Sequence, residues 1–551
     1  MNCTDFILKL LLLKQHLSNE SSCPLVSTKS GKIHGKYLTS YQNNIYEAYQ
    51  GIPYALPPIG ERRFRPPVAV ENWLGELQAT QIKDACLQDS PSPQNNSVVG
   101  SEDCLYLNIY VPTKRKPTVK LPVLFYIYGG AFRFGRTAEG QESYVIDYDV
   151  IFASANYRMG SLGFLSTDDH VVQGNMGLKD QSMALRWIHD NIEHFGGNPD
   201  KITLIGASAG GVSVHYHYLS PWSRGLFHAG ISLSGSAYIP AAVTACSRIK
   251  TVALAKALKC THDDMGQLVE CLRRVPAEAL VSAQKQLKLW QRLPPLFGPV
   301  IERSGADPFI DDYPSDIMSQ GKAYDVPWVT GVVSEEGLAV SRGFTQDTLQ
   351  RLDKNWNSVA AVLLDYSYTV PKEQHKSVVQ RVRRHYFGNQ PINVETLHTL
   401  TKLIGDRHFG VGAVNAAKAQ AAANSSPVFF YYHTYRAQES LSDGQTFREQ
   451  NFGVAHGDDI HLVIKDPRMS PTKSANDMTM QRHLIKIWTS VAYNGVPKIT
   501  VQWPRVAPNN SSLQYLLIAE PNCLIPKSCG NFAQQTFWNS IISHQKICTA
   551  V

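Results

Sequence analysis

A serine within a glycine-rich turn is the residue of this chain best suited to chemistry. Ser208 is the central residue of Gly206-Ala207-Ser208-Ala209-Gly210, which directly follows the apolar run 202–205. At a sharp turn from a strand into a helix, a serine is held with its hydroxyl above the sheet, and glycines two positions before and after it avoid collisions with neighbouring elements. The pattern therefore predicts that Ser208 is a nucleophile.

A nucleophilic serine that attacks a carbonyl group needs donors for the negative charge that develops on oxygen. The apolar run 121–128 leads into Gly129-Gly130-Ala131, a tight turn in which bare backbone N–H groups can face a pocket. One such donor stabilises the tetrahedral intermediate by about 3–4 kcal/mol. Because this turn precedes the serine strand, we expect an oxyanion hole formed by the backbone N–H groups of Gly130, Ala131 and Ala209.

The serine also needs a base and an acid. A histidine must take the hydroxyl proton, and a carboxylate must orient that histidine. Among the 18 histidines, His456 is the candidate because it lies in a loop of small residues late in the chain, after a predicted strand. Glu335 and Glu336 follow the apolar run 326–332, and either could be the acid. The order serine, acid, histidine is that of the α/β-hydrolase fold.

The elements that must position these residues can be read from the apolar runs. Ala184, Ile188 and Ile192 repeat at four-residue intervals between two of the runs and predict a helix. Strand, helix and strand in succession are typical of a parallel sheet, so we predict an α/β-hydrolase fold with a large, mostly parallel central sheet flanked by helices. Segments 245–291 and 345–420 are predicted to be helical insertions. The predicted strands are 121–128, 150–155, 202–205, 231–233, 326–332 and 428–432.

Composition excludes several classes of protein. Hydrophobic residues make up 43% and charged residues 18% of the 551 residues, which is typical of a folded globular protein. The net charge is +7, but Lys and Arg are scattered rather than arranged in a stripe that could follow phosphates, so nucleic acid is not expected as a partner. No linker or low-complexity run divides the chain, and we predict one domain over residues 23–545. Such a serine mechanism requires neither a metal nor an organic cofactor.

The N-terminus and the sequons bear on localisation. Residues 1–22 contain a short apolar stretch interrupted by Lys9, which we interpret as a poorly formed signal peptide. No later run reaches the roughly 20 apolar residues of a membrane span. Sequons and ten cysteines indicate an oxidising secretory route, so we expect a secreted glycoprotein, with a cytoplasmic location as the alternative. The candidate glycosylation sites are Asn95, Asn424, Asn509 and Asn510.

Further segments stand in a fixed order along the chain with the serine turn: Tyr49-Gln50-Gly51-Ile52-Pro53, Glu102-Asp103-Cys104-Leu105-Tyr106-Leu107-Asn108, Gly177-Leu178-Lys179-Asp180-Gln181 and Gly453-Val454-Ala455-His456-Gly457. With them, the sequence resembles the type-B carboxylesterase and cholinesterase family over nearly its whole length, and is most similar to the broad-substrate carboxylesterases of insects. The resemblance implies hydrolysis of small carboxylic esters through an acyl-enzyme intermediate.

The resemblance also assigns individual residues. It selects Glu336 over Glu335 as the acid and supports the same three oxyanion donors. It implies two disulfides, Cys86 with Cys104 and Cys260 with Cys271. The segment between Cys86 and Cys104 contains no tryptophan that could stack on a quaternary ammonium, so a choline ester is not expected as the substrate.

Two alternatives to turnover remain open at this point. Similar folds in neuroligin-like proteins serve noncatalytic adhesion, although those relatives generally lose a triad residue and carry a membrane segment. A protein that acylates quickly but deacylates very slowly would instead sequester esters or xenobiotics stoichiometrically. The sequence leaves the natural ester and the oligomeric state undetermined.

Overall fold

A mixed sheet of eleven strands forms the centre of the computed structural model, which describes residues 23–90, 97–115, 118–287, 297–367, 369–443, 451–466, 469–471 and 474–541. In chain order its strands are β1 (Lys36–Thr39), β2 (Ile45–Pro53), β3 (Tyr106–Pro112), β4 (Leu121–Ile127), β5 (Ile151–Ala155), β6 (Gly197–Ala207), β7 (Ala229–Leu233), β8 (Trp328–Val333), β9 (Val428–His433), β10 (Leu513–Glu520) and β11 (Cys523–Cys529).

The spatial order of the strands is β11-β10-β9-β8-β7-β6-β4-β5-β3-β2-β1. Strands β4 to β10 pair in parallel, while β1, β2 and β3 at one edge and β11 at the other are antiparallel. The α/β-hydrolase prediction is confirmed, and the six predicted strands correspond to β4 to β9. Strand β6 begins at Gly197, earlier than predicted, because Gly197 pairs with Leu121 before an irregularity that ends at Ile202.

Helices flank the sheet and supply its insertions. The periodic segment predicted as a helix is α2 (Met176–Asn191), in which Ala184 and Ile188 are buried. A π-helical turn, Asp406–Gly410, joins α12 (Leu397–Gly405) to α13 (Val411–Ala423). The helices are α1 (Gly160–Phe164), α2 (Met176–Asn191), α3 (Ala209–Leu219), α4 (Ser247–Ala257), α5 (Met265–Arg274), α6 (Ala277–Gln284), α7 (Pro314–Ser319), α8 (Leu338–Ser341), α9 (Gln346–Lys354), α10 (Trp356–Leu363), α11 (His375–Phe387), α12 (Leu397–Gly405), α13 (Val411–Ala423), α14 (Asp458–His461), α15 (Ala475–Asn494) and α16 (Gln535–Ile541).

The sheet and one of the insertions have separate apolar cores. The larger core consists of strand residues and the helices packed on them, with Trp328 and Trp488 among its largest fully buried side chains. A second core lies within the predicted insertion 345–420 and includes Leu349, Val379 and Leu400. This insertion therefore has apolar packing of its own, and it joins the sheet through the π-helical turn and α13.

Both implied disulfides are present in the structure. The S–S distance is 2.07 Å between Cys86 and Cys104 and 2.01 Å between Cys260 and Cys271. Cys246 is also disulfide-bonded. The candidate signal peptide, residues 1–22, and the sequon at Asn95 lie outside the described residues. Within the described ranges, no helix combines the length and apolar character needed to cross a membrane.

A buried carboxyl group, that of Glu142, lies in the segment that follows the predicted oxyanion turn. Glu142 is fully buried, and the Tyr46 hydroxyl donates a hydrogen bond of 2.5 Å to its Oε1. Burial raises the pKa of Glu142 from 4.5 to about 7, although the bond from Tyr46 opposes that rise. The folded protein therefore keeps Glu142 protonated at pH values where the unfolded chain ionises it.

This shift makes stability depend on pH in a defined direction. Between pH 4.5 and about 7 the folded state binds more protons than the unfolded state at Glu142, so stability is lost as the pH rises through that window. We expect Glu142→Gln to raise the free energy of unfolding at pH 8 by on the order of 3 kcal/mol, with a much smaller gain at pH 5. Urea denaturation at the two pH values measures both effects.

The exposed neighbour Glu139 provides the control for this prediction. The side chain of Glu139 is 71% exposed, so Glu139→Gln should change stability little at either pH. An equal gain from Glu142→Gln at pH 5 and pH 8 would show that the carboxyl group ionises alike in the folded and unfolded states, which contradicts the prediction.

Candidate active site

Ser208 occupies a strained turn between β6 and α3. Its backbone has φ 58° and ψ −126°, a conformation that L-residues rarely adopt, and its N–H donates to the carbonyl of Leu233 at 2.8 Å. A Cβ at Gly206 would lie 2.5 Å from the carbonyl carbon of Gly210, and a Cβ at Gly210 would lie 2.0 Å from the carbonyl oxygen of Ile127. The two glycines are therefore required by close backbone contacts, as the sequence indicates.

The three predicted catalytic residues follow strands of the parallel part of the sheet. Ser208 follows β6, Glu336 follows β8, and His456 lies in the loop between β9 and α14. The carboxyl ends of parallel strands meet at one edge of the sheet, which is where ligands bind in open α/β folds. Residues separated by more than 240 positions in the sequence are thus directed to the same edge of the sheet.

Glu336 and His456 form a direct pair. The Nδ1 atom of His456 lies 2.5 Å from Oε2 of Glu336. The other carboxylate oxygen, Oε1, accepts a bond of 2.9 Å from the backbone N–H of Val333, and the Glu336 side chain is 3% exposed. With Nδ1 held by the carboxylate, Nε2 is the ring nitrogen left to take a proton.

Glu335, the other candidate acid, has a different contact. Its Oε2 accepts a bond of 2.9 Å from the backbone N–H of Val454, and its own N–H donates to the Val454 carbonyl at 3.1 Å. Gly453 has φ +98°, and a Cβ there would lie 2.4 Å from Oε2 of Glu335. Glu335 therefore anchors the loop that carries His456, whereas Glu336 contacts the imidazole itself.

Two residues missed by the sequence analysis also hold the histidine loop. The ring of Phe409 packs against the His456 imidazole with centroids 4.3 Å apart. Asp458 accepts hydrogen bonds from the backbone N–H of Ala455 at 2.8 Å and of Leu441 at 2.9 Å. Asp458 lies two positions after His456 in the sequence, whereas no local pattern connects Phe409 to His456.

A third missed residue, Asp459, places another carboxyl group behind the pair. Asp459 is 2% exposed, and the Tyr431 hydroxyl donates to its Oδ2 at 2.6 Å. Burial raises the pKa of Asp459 to about 6, the charge of Glu336 adds to that rise, and the bond from Tyr431 opposes it. The environment of the histidine therefore contains buried carboxyl groups in addition to Glu336, which is bonded to the imidazole.

The predicted oxyanion turn is fixed by a tyrosine pair. The Tyr157 hydroxyl donates to the backbone carbonyl of Tyr128 at 2.8 Å, the Tyr157 N–H donates to the Tyr128 hydroxyl at 3.1 Å, and the rings stack 4.6 Å apart. Tyr128 is buried and lies between the end of β4 and the glycine turn. The pair thus holds the start of the turn in place.

Within the turn, the backbone leaves N–H groups unused. Gly130 has φ +123°, and a Cβ there would lie 1.8 Å from the Phe134 carbonyl oxygen, so only glycine fits. Ala131 has φ 55° despite its methyl group. In the part of the chain that the structure describes, nothing accepts a hydrogen bond from the backbone N–H groups of Gly130, Ala131 or Ala209. These are the three predicted donors.

Ser208 and His456 are not yet in hydrogen-bond contact among the described residues. Among the described residues, no hydrogen bond joins the Ser208 hydroxyl to His456, while the bond between His456 and Glu336 is formed. Catalytic hydrogen bonds are often long in free enzymes and shorten only when substrate binds. No group of three or more His, Cys, Asp or Glu in the described ranges is placed to hold a metal ion.

Comparisons with known proteins identify what this arrangement resembles. A model of the carboxylesterase family matches residues 22–538. The chain is 42% identical over 547 residues to venom carboxylesterase-6 of Apis mellifera, covering 98% of each protein. It is 45% identical over 528 residues to a carboxylic ester hydrolase of Bombus ignitus, covering 94% of each.

A solved structure shares the fold. The crystal structure of juvenile hormone esterase from Manduca sexta, with OTFP covalently attached, superposes with a TM-score of 0.84 at 28% identity. The superposition covers 94% of this chain and 99% of that protein.

Proposed function

We propose, from the premise that this chain belongs to the carboxylesterase family and hydrolyses carboxylic esters, that Ser208, His456 and Glu336 carry out the reaction. The observation that carries the assignment is the 2.5 Å contact between His456 and Glu336, at the sheet edge where Ser208 occupies its strained turn. The relatives bear the names of enzymes, and neither adhesion nor stoichiometric sequestration is favoured.

The proposed reaction begins at the ester carbonyl. The Ser208 oxygen attacks the carbonyl carbon while Nε2 of His456 takes the hydroxyl proton, and the N–H groups of Gly130, Ala131 and Ala209 bind the oxyanion. As the bond to the alcohol oxygen breaks, His456 returns the proton to the leaving alcohol. An acyl group then remains on Ser208.

Hydrolysis of the acyl-enzyme repeats the same proton transfers. Water attacks the acyl carbon as His456 takes one of its protons, and the tetrahedral intermediate collapses to release the acid. The proton returns from His456 to the Ser208 oxygen, which restores the enzyme. Throughout, Glu336 holds the imidazole in the tautomer that has its proton on Nδ1 and stabilises the imidazolium.

The oxyanion assignment predicts a mild effect for one substitution. Ala131→Gly keeps the backbone N–H and removes a methyl group from a residue with φ 55°, where glycine has no steric penalty. We expect kcat for a short acetate ester to change less than about threefold, because each donor that is lost would cost 100-fold or more. Steady-state kinetics on acetate and branched-acyl esters measures this change. The rate for the bulkier, branched-acyl ester should rise.

Gly130→Ala is the contrasting variant. Its Cβ would meet the Phe134 carbonyl at 1.8 Å, so the turn must move and activity should fall on both esters. If Ala131→Gly lost activity as strongly as Gly130→Ala, the role assigned to the Ala131 N–H would be wrong.

The disulfides bear on where the protein works. Such bonds persist in oxidising compartments, so the two described pairs support the secretory pathway rather than the cytoplasm. We further propose secretion as a glycoprotein. The exposed Asn509 and Asn510 fit glycan attachment better than Asn424, whose side-chain N–H donates to the Tyr324 carbonyl at 2.9 Å.

Covalent labelling tests the nucleophile directly. An organophosphate ester should stop turnover of a 4-nitrophenyl ester with the stoichiometry of one phosphoryl group per chain, and peptide mass mapping should locate the adduct on Ser208. An adduct on another serine would reassign the nucleophile. Steady turnover that the reagent fails to stop would reject the serine mechanism.

A further inference from the structure

A cavity of about 170 Å³ lies away from the proposed catalytic residues. Its walls come from the segment after β7, from the start of α7, from the π-helical turn and α13, and from α16. None of the residues assigned to the reaction lines it. The lining is mixed, with an apolar part formed by Ile239, Val243, Val411 and Trp538 and a polar part that includes Arg407 and Asp365.

Arg407 brings a positive charge to this cavity. The residue is 8% exposed, and the guanidinium lies 5.5 Å from the centre of the Trp538 ring. Nε donates to the Leu364 carbonyl at 2.9 Å and Nη2 to the Asp365 carbonyl at 3.3 Å, but Nη1 has no partner among the described residues. Burial lowers the pKa of Arg407 to about 10, so the side chain remains a cation at neutral pH.

Asp365 compensates the charge of Arg407 without forming an ion pair. Its side chain lines the same cavity and its charge favours the cationic form of Arg407, yet in the described part of the chain neither it nor any other carboxylate forms an ion pair with Arg407. Nη1 is not among the fully enclosed polar atoms, and a charge-assisted hydrogen bond from it to an anion is stronger than one to a neutral acceptor. The cavity therefore offers a cationic donor to a ligand that fits its volume.

We propose that this cavity is a binding site for a ring-sized organic monocarboxylate. The carboxylate would accept from Nη1 of Arg407, and the apolar body would pack against Ile239, Val243 and Val411. The size follows from volume, since an apolar cavity of about 150 Å³ is large enough for benzene. Acids released by ester hydrolysis belong to this chemical class, so a product acid and an unrelated acid are both possible sources.

The site is separate from the ester site but adjacent to its wall. Arg407 and Phe409 lie on the same π-helical turn, and the Phe409 ring contacts His456. Because the cavity and the catalytic edge share no lining residue among those assigned to the reaction, a ligand at Arg407 leaves Ser208 open to the substrate. Inhibition or activation by that ligand should accordingly not be competitive.

Benzoate tests the proposal by calorimetric titration of the full chain. The titration uses protein pretreated with an organophosphate, which closes the ester site, and untreated protein beside it. We expect benzoate to bind both forms equally, Arg407→Met to weaken binding at least tenfold, and neutral benzyl alcohol to bind at least tenfold more weakly than benzoate. The exposed Arg351→Met is the matched control and should leave binding within about twofold.

Two further variants separate binding from folding. Val243→Trp fills the cavity while leaving both carbonyl bonds of Arg407 in place, and it should abolish benzoate binding even if Arg407→Met does not fold. Asp365→Asn removes the carboxylate that shares the cavity and should tighten binding. Benzoate binding that persists in Arg407→Met or Val243→Trp, or that is absent from the wild type at about 10 mM, would overturn the proposal.

Benzoate titration also distinguishes the possible sources of the acid, and it separates a failure of the carboxylate site from a failure of the Ser208 assignment. An acid released from a hydrolysed ester that binds no better than benzoate would indicate a site for unrelated acids. Benzoate binding does not depend on Ser208, so a failed covalent label with intact benzoate binding would reject the nucleophile and keep the carboxylate site. A covalent label on Ser208 without benzoate binding would keep the nucleophile and reject the carboxylate site.

Discussion

Ser208→Ala should lower kcat/KM for a 4-nitrophenyl ester by at least about 10,000-fold, because without the serine oxygen no acyl-enzyme can form. The residual rate would come from the oxyanion donors and substrate binding alone. The fold should persist, since alanine keeps the backbone turn and its N–H bond to the Leu233 carbonyl. Steady-state hydrolysis, with thermal unfolding measured beside it, separates lost chemistry from lost structure.

Ser213→Ala is the matched control for this substitution. Ser213 lies on the same helix, α3, where its hydroxyl donates to the Ala209 carbonyl at 2.9 Å and accepts from the Gln181 amide at 3.1 Å. Its removal should cost about 1 kcal/mol of stability and little activity. If Ser208→Ala retained a substantial fraction of wild-type turnover, the assignment of the nucleophile would fail.

Glu336→Gln should lower kcat by about 1,000- to 10,000-fold. The amide cannot stabilise the imidazolium, and its NH₂ group favours the tautomer that leaves no free lone pair on Nε2. The change is nearly isosteric, and the amide oxygen can still accept from the Val333 N–H, so stability should fall by much less than activity. Single-turnover and steady-state rates on the same ester measure the loss.

Glu335→Gln offers a control one position away in the sequence. The glutamine oxygen can still accept the bond from the Val454 N–H, so the loop should stay in place and kcat should fall by less than about tenfold. The ratio of kcat for Glu335→Gln to kcat for Glu336→Gln tests which glutamate acts on the histidine. Equal losses, or a larger loss in Glu335→Gln, would show that the 2.5 Å contact of Glu336 is not the catalytic one.

The residues alone were sufficient to identify the fold class and the nucleophile candidate. Both depend on short-range patterns: buried strands read as apolar runs, and the turn around Ser208 needs small residues because backbone atoms approach to about 2 Å of any added Cβ. The same holds for Gly130, which the sequence marked as a donor and whose φ of +123° explains why glycine stands there. A pattern of a few residues can therefore be interpreted from sequence when local steric contacts explain it.

Tertiary structure decided what adjacent or distant residues do. Residue chemistry left Glu335 and Glu336 equivalent, the family resemblance selected one, and the fold gave the physical distinction: one side chain reaches the imidazole and the other a backbone N–H. The contact of Phe409 with His456 and the unpaired guanidinium of Arg407 depend on how the helical insertion packs on the sheet. Such contacts are set by distances between elements far apart in the chain, and no local periodicity or turn pattern encodes them.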